Sequence, residues 1–194
     1  MGVKSVQISE LGEIVSGGTP KSSNPEYWGG DVYWATPTDI TKTSNKEISD
    51  TERKITELGL QKSSAKVLPP KSLLICTRAT IGEMCINSVP MSTNQGFKSI
   101  IPSDNYDVDF LYYLLSTKKN EMLKRSSGST FLEISKKELE SITLLIPPLE
   151  EQRRIAGILS TWEKAINAYD RLIQLEIKKR NGIVQEAFSN LSCE

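Results

Sequence analysis

The chain has 194 residues, 38% hydrophobic and 25% charged, which suits one soluble globular domain with an appendage. Its 24 basic and 24 acidic residues cancel, so the overall charge points to no nucleic-acid partner, although a local basic face stays compatible with one. The sequence contains no histidine, which removes the commonest general base and the commonest metal ligand. We therefore expect no metal site on this chain.

The three cysteines are Cys76, Cys85 and Cys193, and they are too few and too irregularly spaced for a zinc site or a disulfide framework. This usage predicts buried or incidental thiols in a reducing compartment. No apolar signal region opens the sequence, and no apolar run approaches the roughly 20 residues that span a bilayer. We expect a cytoplasmic protein with no membrane partner.

Short apolar runs separated by Gly, Pro, Ser and Asn fill the chain as far as Ile146. Such runs, rich in β-branched and aromatic residues, predict strands, and few helical patterns lie between them. This mixture predicts an α+β domain built around a β-sheet or a partly closed barrel. An entry segment covers 6–8 and 12–15, and the predicted strands are 32–35, 72–77, 83–86, 97–101 and 144–146.

Two helices are predicted inside this region. Helical spacing runs from Asp109 to Leu123, and a short helix begins near Ser135, whose hydroxyl can cap it. The intervening segments read as loops because they are polar and rich in turn-forming residues. The loops are 17–20 with the sequence Gly-Gly-Thr-Pro, 21–30, 92–96 and 126–130.

The segment Pro147–Ala156 separates two kinds of sequence. Proline cannot continue a strand ladder, but a helix tolerates it in the first turn, and Glu150 and Glu151 place negative charge where the helix dipole favours it. After this point the chain contains no proline and is helix-forming almost to its end. We therefore divide the chain into a globular domain, residues 1–146, and a long helix, residues 147–194.

Apolar residues recur three, four or seven positions apart along the long helix, with one gap after Ile177. Around 40 helical residues extend roughly 60 Å, too far for the stripe to be hidden against a domain of this size. The stripe predicts pairing with a second helix, as in a coiled coil, and the alternative is a helix folded back on its own domain. The predicted pairing residues are Leu159, Trp162, Ile166, Tyr169, Ile173, Ile177 and Val184.

Motifs for catalysis are missing from the sequence. It has neither of the glycine-rich patterns that cradle phosphates, and Glu133, Glu138 and Glu140 lie in a charged stretch that reads as solvated surface. Basic and amide side chains at predicted loops favour DNA contact instead, because they bind phosphates and read base edges. The candidates are Lys21, Lys42, Arg78, Asn94, Gln95, Lys98, Lys124, Arg125, Ser129 and Thr130; each one alone also fits plain solvated surface.

Six segments, in order along the chain, resemble the specificity subunit of Type I restriction–modification systems. The first two look like the start of its target recognition domain, the next three like later signatures of that domain, and the last like its exit into a spacer helix. The resemblance is specific because the order holds across nearly the whole chain. The segments are Leu11–Pro20, Asn24–Asp31 with Trp34, Arg78–Gly82, Asn94–Phe97, Gly128–Thr130 and Pro147–Ala156.

This resemblance implies a subunit without catalysis of its own. Each target recognition domain of that family reads one half of a split DNA site, and the long helices pair to fix the distance between the halves. Modification subunits dock on the helices, bind S-adenosylmethionine and methylate adenine, while restriction subunits add ATP- and Mg-dependent translocation and cleavage. No cofactor is therefore expected on this chain.

One departure from the family pattern changes the expected assembly. The usual subunit carries two recognition domains and two spacer helices, whereas this sequence carries one of each. It resembles a half-subunit, for which we expect a homodimer formed through the helices; a second chain supplying the other half, or a longer subunit, are alternatives. Two other functions stay open at this point: an adaptor that mimics a specificity subunit without binding DNA, and a small self-contained nuclease or methyltransferase.

Overall fold

The computed structural model describes residues 2–43, 45–128 and 132–189. Within these residues, ten strands form three sheets, and six α-helices and two short 3-10 helices accompany them. The α+β class is confirmed, and a long helix follows the last strand.

The largest sheet has five strands, in the order β2 (Gly12–Ser16), β9 (Phe97–Pro102), β6 (Leu73–Cys76), β7 (Met84–Asn87) and β4 (Glu47–Ile48). Its central strand β6 (Leu73–Cys76) is completely buried, since it is apolar on both faces, and it pairs antiparallel with β7 (Met84–Asn87) and β9 (Phe97–Pro102). The strands predicted at 72–77, 83–86 and 97–101 are thereby confirmed. The edges are β2 (Gly12–Ser16), antiparallel to β9, and the short β4 (Glu47–Ile48), parallel to β7.

Two smaller sheets complete the strands. The first pairs β1 (Lys4–Gln7) antiparallel with β10 (Thr143–Ile146), so the start of the chain is tied to the strand before the long helix. In the second, β3 (Trp28–Ala35) lies between β5 (Lys54–Ile55) and β8 (Ser92–Thr93), and a register shift interrupts its pairing with β5. The predicted strands at 32–35 and 144–146 are both present.

Short helices begin at side-chain caps. The Asp39 carboxylate accepts hydrogen bonds from the N–H and hydroxyl of Thr36 at the start of α1 (Pro37–Lys42), so Pro37 ends β3 and opens a helix. The Thr56 hydroxyl accepts from an N–H of α2 (Glu57–Gln61). The predicted Ser135 cap is confirmed, because its hydroxyl accepts from the Glu138 N–H at 3.1 Å and opens α5 (Lys136–Glu140).

The single helix predicted at 109–123 was wrong, because the structure has two helices there. They are α3 (Val108–Ser116) and α4 (Lys119–Arg125). The Thr117 hydroxyl donates to the Leu114 carbonyl at 2.7 Å, and the Thr117 N–H also bonds that carbonyl, which tightens and ends the last turn of α3. The break lets both helices turn apolar side chains inward: Phe110, Leu111, Leu115 and Met122 are buried.

The loop predicted at 21–30 is partly wrong. The Asn24 side chain accepts a hydrogen bond from the Glu26 N–H at 3.1 Å, which caps a 3-10 turn at Pro25–Tyr27. Strand β3 then begins at Trp28, four residues before the predicted strand. Glycine is depleted in strands, so the two glycines after Trp28 kept β propensity from predicting this part of the strand.

The described cysteines behave as the composition predicts. Cys76 and Cys85 are free and buried on the neighbouring strands β6 and β7. Burial raises the pKa of each thiol to about 12, which keeps both groups protonated at neutral pH. Cys193 lies outside the described residues.

The long helix α6 is Leu149–Ser189. The two prolines precede it, and the Pro148 carbonyl accepts the first helical hydrogen bond, from the Gln152 N–H at 3.0 Å. The chain divides into two compact units, one ending at Ala156 and one beginning at Gly157. The predicted domain boundary, between residues 146 and 147, therefore precedes this division by ten residues, and Gln152 and Ala156 are buried.

Gln152 fixes the beginning of α6 within the first unit. Its side chain is 2% exposed. Its carbonyl oxygen accepts from the Asp107 N–H at 3.0 Å, and its amide nitrogen donates to the carbonyls of Asn105 and Pro147 at 3.3 and 2.9 Å. One side chain thus satisfies three backbone groups at the start of α3 and of α6.

In the second unit, the predicted pairing residues are exposed in the single chain. Trp162 and Tyr169 are 67% and 68% exposed, and none of residues 157–189 is buried. The pairing itself stays a prediction. None of the helices within residues 2–43, 45–128 and 132–189 has the length and apolar character needed to cross a membrane.

We predict that Gln152→Ala lowers the free energy of unfolding by about 2–3 kcal/mol, because it leaves buried backbone groups without partners. Chemical denaturation followed by circular dichroism measures the change. Arg153→Ala, at the exposed neighbouring position, is the control and should stay within about 0.5 kcal/mol of the original chain. Equal effects of the two substitutions would contradict an anchoring role for Gln152.

Candidate nucleic-acid interface

A tight turn between β8 and β9 carries the predicted residues Asn94 and Gln95. The Asn94 side chain accepts from the Gly96 N–H at 2.8 Å, and its backbone N–H donates to the Ala35 carbonyl at 3.0 Å. The first contact closes the turn and the second attaches it to the end of β3. Gln95 is left exposed, and the Thr19 hydroxyl contacts its side-chain oxygen.

The Gly-Gly-Thr-Pro loop packs against this turn. The N–H groups of Gly17 and Gly18 donate to the carbonyls of Phe97 and Thr93 at 3.3 and 2.9 Å. A Cβ on Gly17 would collide with the Asn94 carbonyl, so the approach requires glycine. The sequence marked 17–20 as a turn, but its contact with the 94–96 turn was not predicted.

Two tryptophans support the same loop. The Trp34 indole N–H donates to the Gly18 carbonyl at 2.9 Å, and Trp34 is 3% exposed. Its ring meets Trp28 edge to face at 5.0 Å between centroids, and the Arg53 guanidinium lies 3.7 Å from the Trp28 centroid. The two stacked rings support the Gly-Gly-Thr-Pro loop on its buried side, and this contact was also not predicted.

Arg78 follows β6 and reaches the same edge. The Thr77 N–H donates to the Gly96 carbonyl at 2.7 Å, which attaches the Arg78 turn to the Asn94–Gly96 turn. The next residue, Ala79, has a φ of 57°, a left-handed conformation that reverses the chain. The Arg78 side chain forms an ion pair with Glu133, with 2.7 Å between Nε and Oε2.

Lys98 completes the cluster from strand β9. It lines an open cleft of about 470 Å³ together with Ser127, Gly128, Glu133, Ser135 and Lys136. Burial lowers the pKa of the Lys98 ammonium below its ordinary value; Glu133 partly opposes this, and the positive charges of Arg78 and Lys136 add to it. Three cations therefore share one small region of the surface.

The structure thus brings together four of the predicted DNA-contacting residues: Arg78, Asn94, Gln95 and Lys98. Three further residues at this edge were missed, namely Thr19, Glu133 and Lys136. Glu133 was read as solvated surface, yet its side chain is 31% exposed and ion-paired. Its proximity to Arg78 arises from backbone pairing across 55 residues, for which the sequence carries no local signal.

Lys42 does not join the cluster. Its ammonium lies 2.6 Å from a Glu52 carboxylate oxygen, and the hydrogen bond to Glu52 raises its pKa. Asp39, Glu47 and Asp50 line the same shallow cleft, so the surroundings are acidic and unfavourable for phosphate.

For the remaining candidates, the structure gives only their exposure and local contacts. Lys21 is exposed two residues after Thr19, and its carbonyl accepts from the Trp28 indole at 3.4 Å. Lys124 is exposed on α4, where Arg125 pairs with Glu121 at 2.7 Å and with the Ser141 hydroxyl at 2.9 Å. Ser129 and Thr130 lie outside the described residues.

No group of three or more His, Cys, Asp and Glu side chains suited to a metal ion occurs in the described part of the chain. The expectation that this chain binds no cofactor stays a prediction.

Comparison with known proteins identifies relatives along most of the chain. The family model for the Type I restriction modification DNA specificity domain matches residues 1–177. The MjaIX specificity subunit of Methanocaldococcus jannaschii is 39% identical over 95% of this chain, and the EcoR124I/EcoR124II specificity subunit of Escherichia coli is 29% identical over 89%. The chain spans 44% of the length of each of these two relatives.

Solved structures agree with the sequence comparison. The HsdS subunit from Thermoanaerobacter tengcongensis superimposes with a TM-score of 0.67 and 25% identity, over 88% of this chain and 39% of that one. A chain from a structural study of type I R-M complex assembly gives a TM-score of 0.68 and 26% identity, over 88% and 40%. Since the family model covers residues 1–177 of the 194, this chain belongs to the Type I restriction–modification specificity family.

Proposed function

We propose that the chain is a DNA-binding specificity subunit that reads one half of a split site for a Type I restriction–modification complex. The observation that carries the proposal is the joining of two segments at one edge, which brings Arg78 beside Asn94, Gln95 and Lys98. Family membership supports it independently.

The side chains at this edge have complementary roles in DNA binding. Arginine, asparagine and glutamine can each form paired hydrogen bonds with a base edge in the major groove, whereas lysine contacts phosphates as a point charge. Gln95 is exposed at the tip of a turn that Asn94, Gly17 and Trp34 hold in place. A rigidly supported turn lowers the entropy cost of ordering such a reader on DNA.

The assembly that we propose is a homodimer formed through the helix that begins at Leu149. Besides the predicted stripe, Ile158, Leu172 and Ile183 are 49%, 57% and 59% exposed, which widens the apolar face to roughly 140° of the helix circumference. This exceeds the narrow seam of a two-stranded coiled coil and leaves apolar surface for further helices. It supports pairing with a second copy and docking of modification subunits on the same helices.

In this proposal, the chain works in the cytoplasm as a scaffold without catalysis of its own. S-adenosylmethionine is bound by the modification subunits, and ATP and Mg by the restriction subunits that they recruit. The two functions set against this one, an adaptor that binds no DNA and a self-contained nuclease or methyltransferase, gain no support from the described residues.

We predict a dimer of about twice the 21.6 kDa chain mass by multi-angle light scattering. Trp162→Glu should convert it to monomer, because the substitution places a charge in the apolar seam. Asn167→Glu introduces the same charge roughly 100° around the helix from the centre of the stripe and should leave the mass unchanged. A monomer at high micromolar concentration in the original chain would contradict the homodimer.

Lys98→Ala should weaken binding to all duplex sequences alike and lower the slope of log K against log salt by about 1, because a phosphate contact is lost. Fluorescence anisotropy with a labelled duplex between 50 and 200 mM salt measures both quantities. Lys42→Ala is the matched control: Lys42 is paired with Glu52 in acidic surroundings, so its loss should change affinity less than about twofold. Equal losses in the two variants would place the contact elsewhere.

Selection from random duplexes should return an inverted repeat with a fixed gap, because a two-fold dimer presents the same reader at both ends. Gln95→Ala should relax the preference at one symmetric pair of positions, by about 1–3 kcal/mol each. An asymmetric selected site would indicate a different second reader. Absence of any selected sequence, together with absence of salt-sensitive binding, would favour the adaptor.

A further inference from the structure

Glu133 is held in the centre of the basic cluster by its backbone. Its N–H and carbonyl exchange hydrogen bonds with Ser127, each at 3.0 Å, and the following Ile134 N–H donates to the Thr77 carbonyl at 3.1 Å. These contacts make bridges from Glu133 to both Ser127 and Arg78. The Glu133 backbone is therefore fixed beside Arg78, which keeps its side chain within reach of the guanidinium.

One arginine pairs with this carboxylate, and two lysines lie in the same cleft. Arg78 pairs with it at 2.7 Å, while Lys98 and Lys136 line the same cleft. Lys136 also donates to the Ile14 carbonyl at 3.1 Å and lies 3.5 Å from a Glu140 oxygen. Counting Arg78, Lys98 and Lys136 against Glu133 and Glu140 leaves a net charge of +1, so Glu133 neutralises a substantial share of the positive charge.

A carboxylate that pairs with an arginine presents the same kind of acceptor oxygens as a phosphate. The cleft between Lys98, Ser127 and Lys136 is open to solvent, and the Arg78 side chain is 44% exposed, so a phosphate can approach these cations. Glu133 pairs with the Nε of Arg78, and the remaining guanidinium N–H groups face the same small region. A phosphate brought to that region is repelled by the Glu133 carboxylate at short range, so the two anions compete for the same positive charge.

We propose that Glu133 is an internal competitor for DNA phosphate, which occupies the Arg78, Lys98 and Lys136 cluster in the free protein and must be displaced when a backbone phosphate binds. This inference rests on the proposed function. It assigns Glu133 a regulatory role at that site: the ion pair weakens binding that relies on phosphate alone, so that contacts with the correct bases are needed to favour the exchange.

The test is the affinity of the full chain for a random-sequence duplex, measured by fluorescence anisotropy at several salt concentrations. Glu133→Gln should raise affinity roughly two- to fivefold, the size expected for a partly exposed ion pair, and steepen the salt slope by about 1 because one more phosphate is contacted. Glu47→Gln removes the same charge from the acidic cleft beside Lys42 and should change neither quantity.

A double-mutant cycle tests whether the gain in affinity depends on Arg78. The gain from Glu133→Gln should shrink by about half or more in an Arg78→Gln background, because the donors released by the first substitution are then missing. Glu133→Asp keeps the charge but withdraws it by one methylene, and should give a smaller gain. Thermal unfolding of each variant verifies that the fold persists. A folded variant at residue 133, either Glu133→Gln or Glu133→Asp, is sufficient for the test.

Two results would overturn the proposal while leaving the proposed function in place. In the first, Glu133→Gln changes affinity no more than Glu47→Gln while the original chain binds DNA. In the second, Glu133→Gln weakens binding to the selected site alone, which would make Glu133 a reader of base amino groups. Absence of salt-sensitive binding in the original chain and in every variant would overturn the proposed function itself.

Discussion

The close approach of Gly17 and Gly18 to the Thr93–Asn94 backbone is the constraint on which the candidate interface depends. It joins the end of β2 to the turn that leads into β9, and Trp34 attaches β3 to the same loop. Any side chain at residue 17 would push these backbones apart. The turn that carries Gln95 is therefore positioned by a backbone contact between two sheets, which is stiffer than a side-chain contact would be.

Neutral overall charge and a basic recognition edge coexist because charge is distributed unevenly over the fold. Lys42 lies among Asp39, Glu47 and Asp50, whereas the three cations Arg78, Lys98 and Lys136 outnumber their acidic neighbours Glu133 and Glu140. The described residues therefore include a cationic region at the candidate interface and an acidic one around Lys42. In the proposed function, such a region would align a DNA duplex without holding it indiscriminately, because attraction at longer range is screened within about 8–10 Å.

Much of the fold could be predicted from local signals. The apolar strands at 72–77 and 97–101, the Ser135 cap and the long helix all follow from patterns within a few residues. The strands of two residues, β4, β5 and β8, could not be predicted. Two residues are too few to show a strand pattern, and only their pairing with neighbouring strands defines them. At the candidate interface, loop position singled out Arg78 and Asn94, but the ion pair with Glu133 depends on tertiary pairing, and Lys42 shows that loop position alone is insufficient.

The exposed apolar face of the second unit has a consequence for how the chain unfolds. None of residues 157–189 is buried in the single chain, and isolated helices draw little stability from backbone hydrogen bonds alone. In the proposed homodimer, the order of this segment depends on total protein concentration, whereas the sheet-based unit has its own core. In that assembly, dilution should melt the helix well before the sheets, so that a single melting temperature would not describe unfolding.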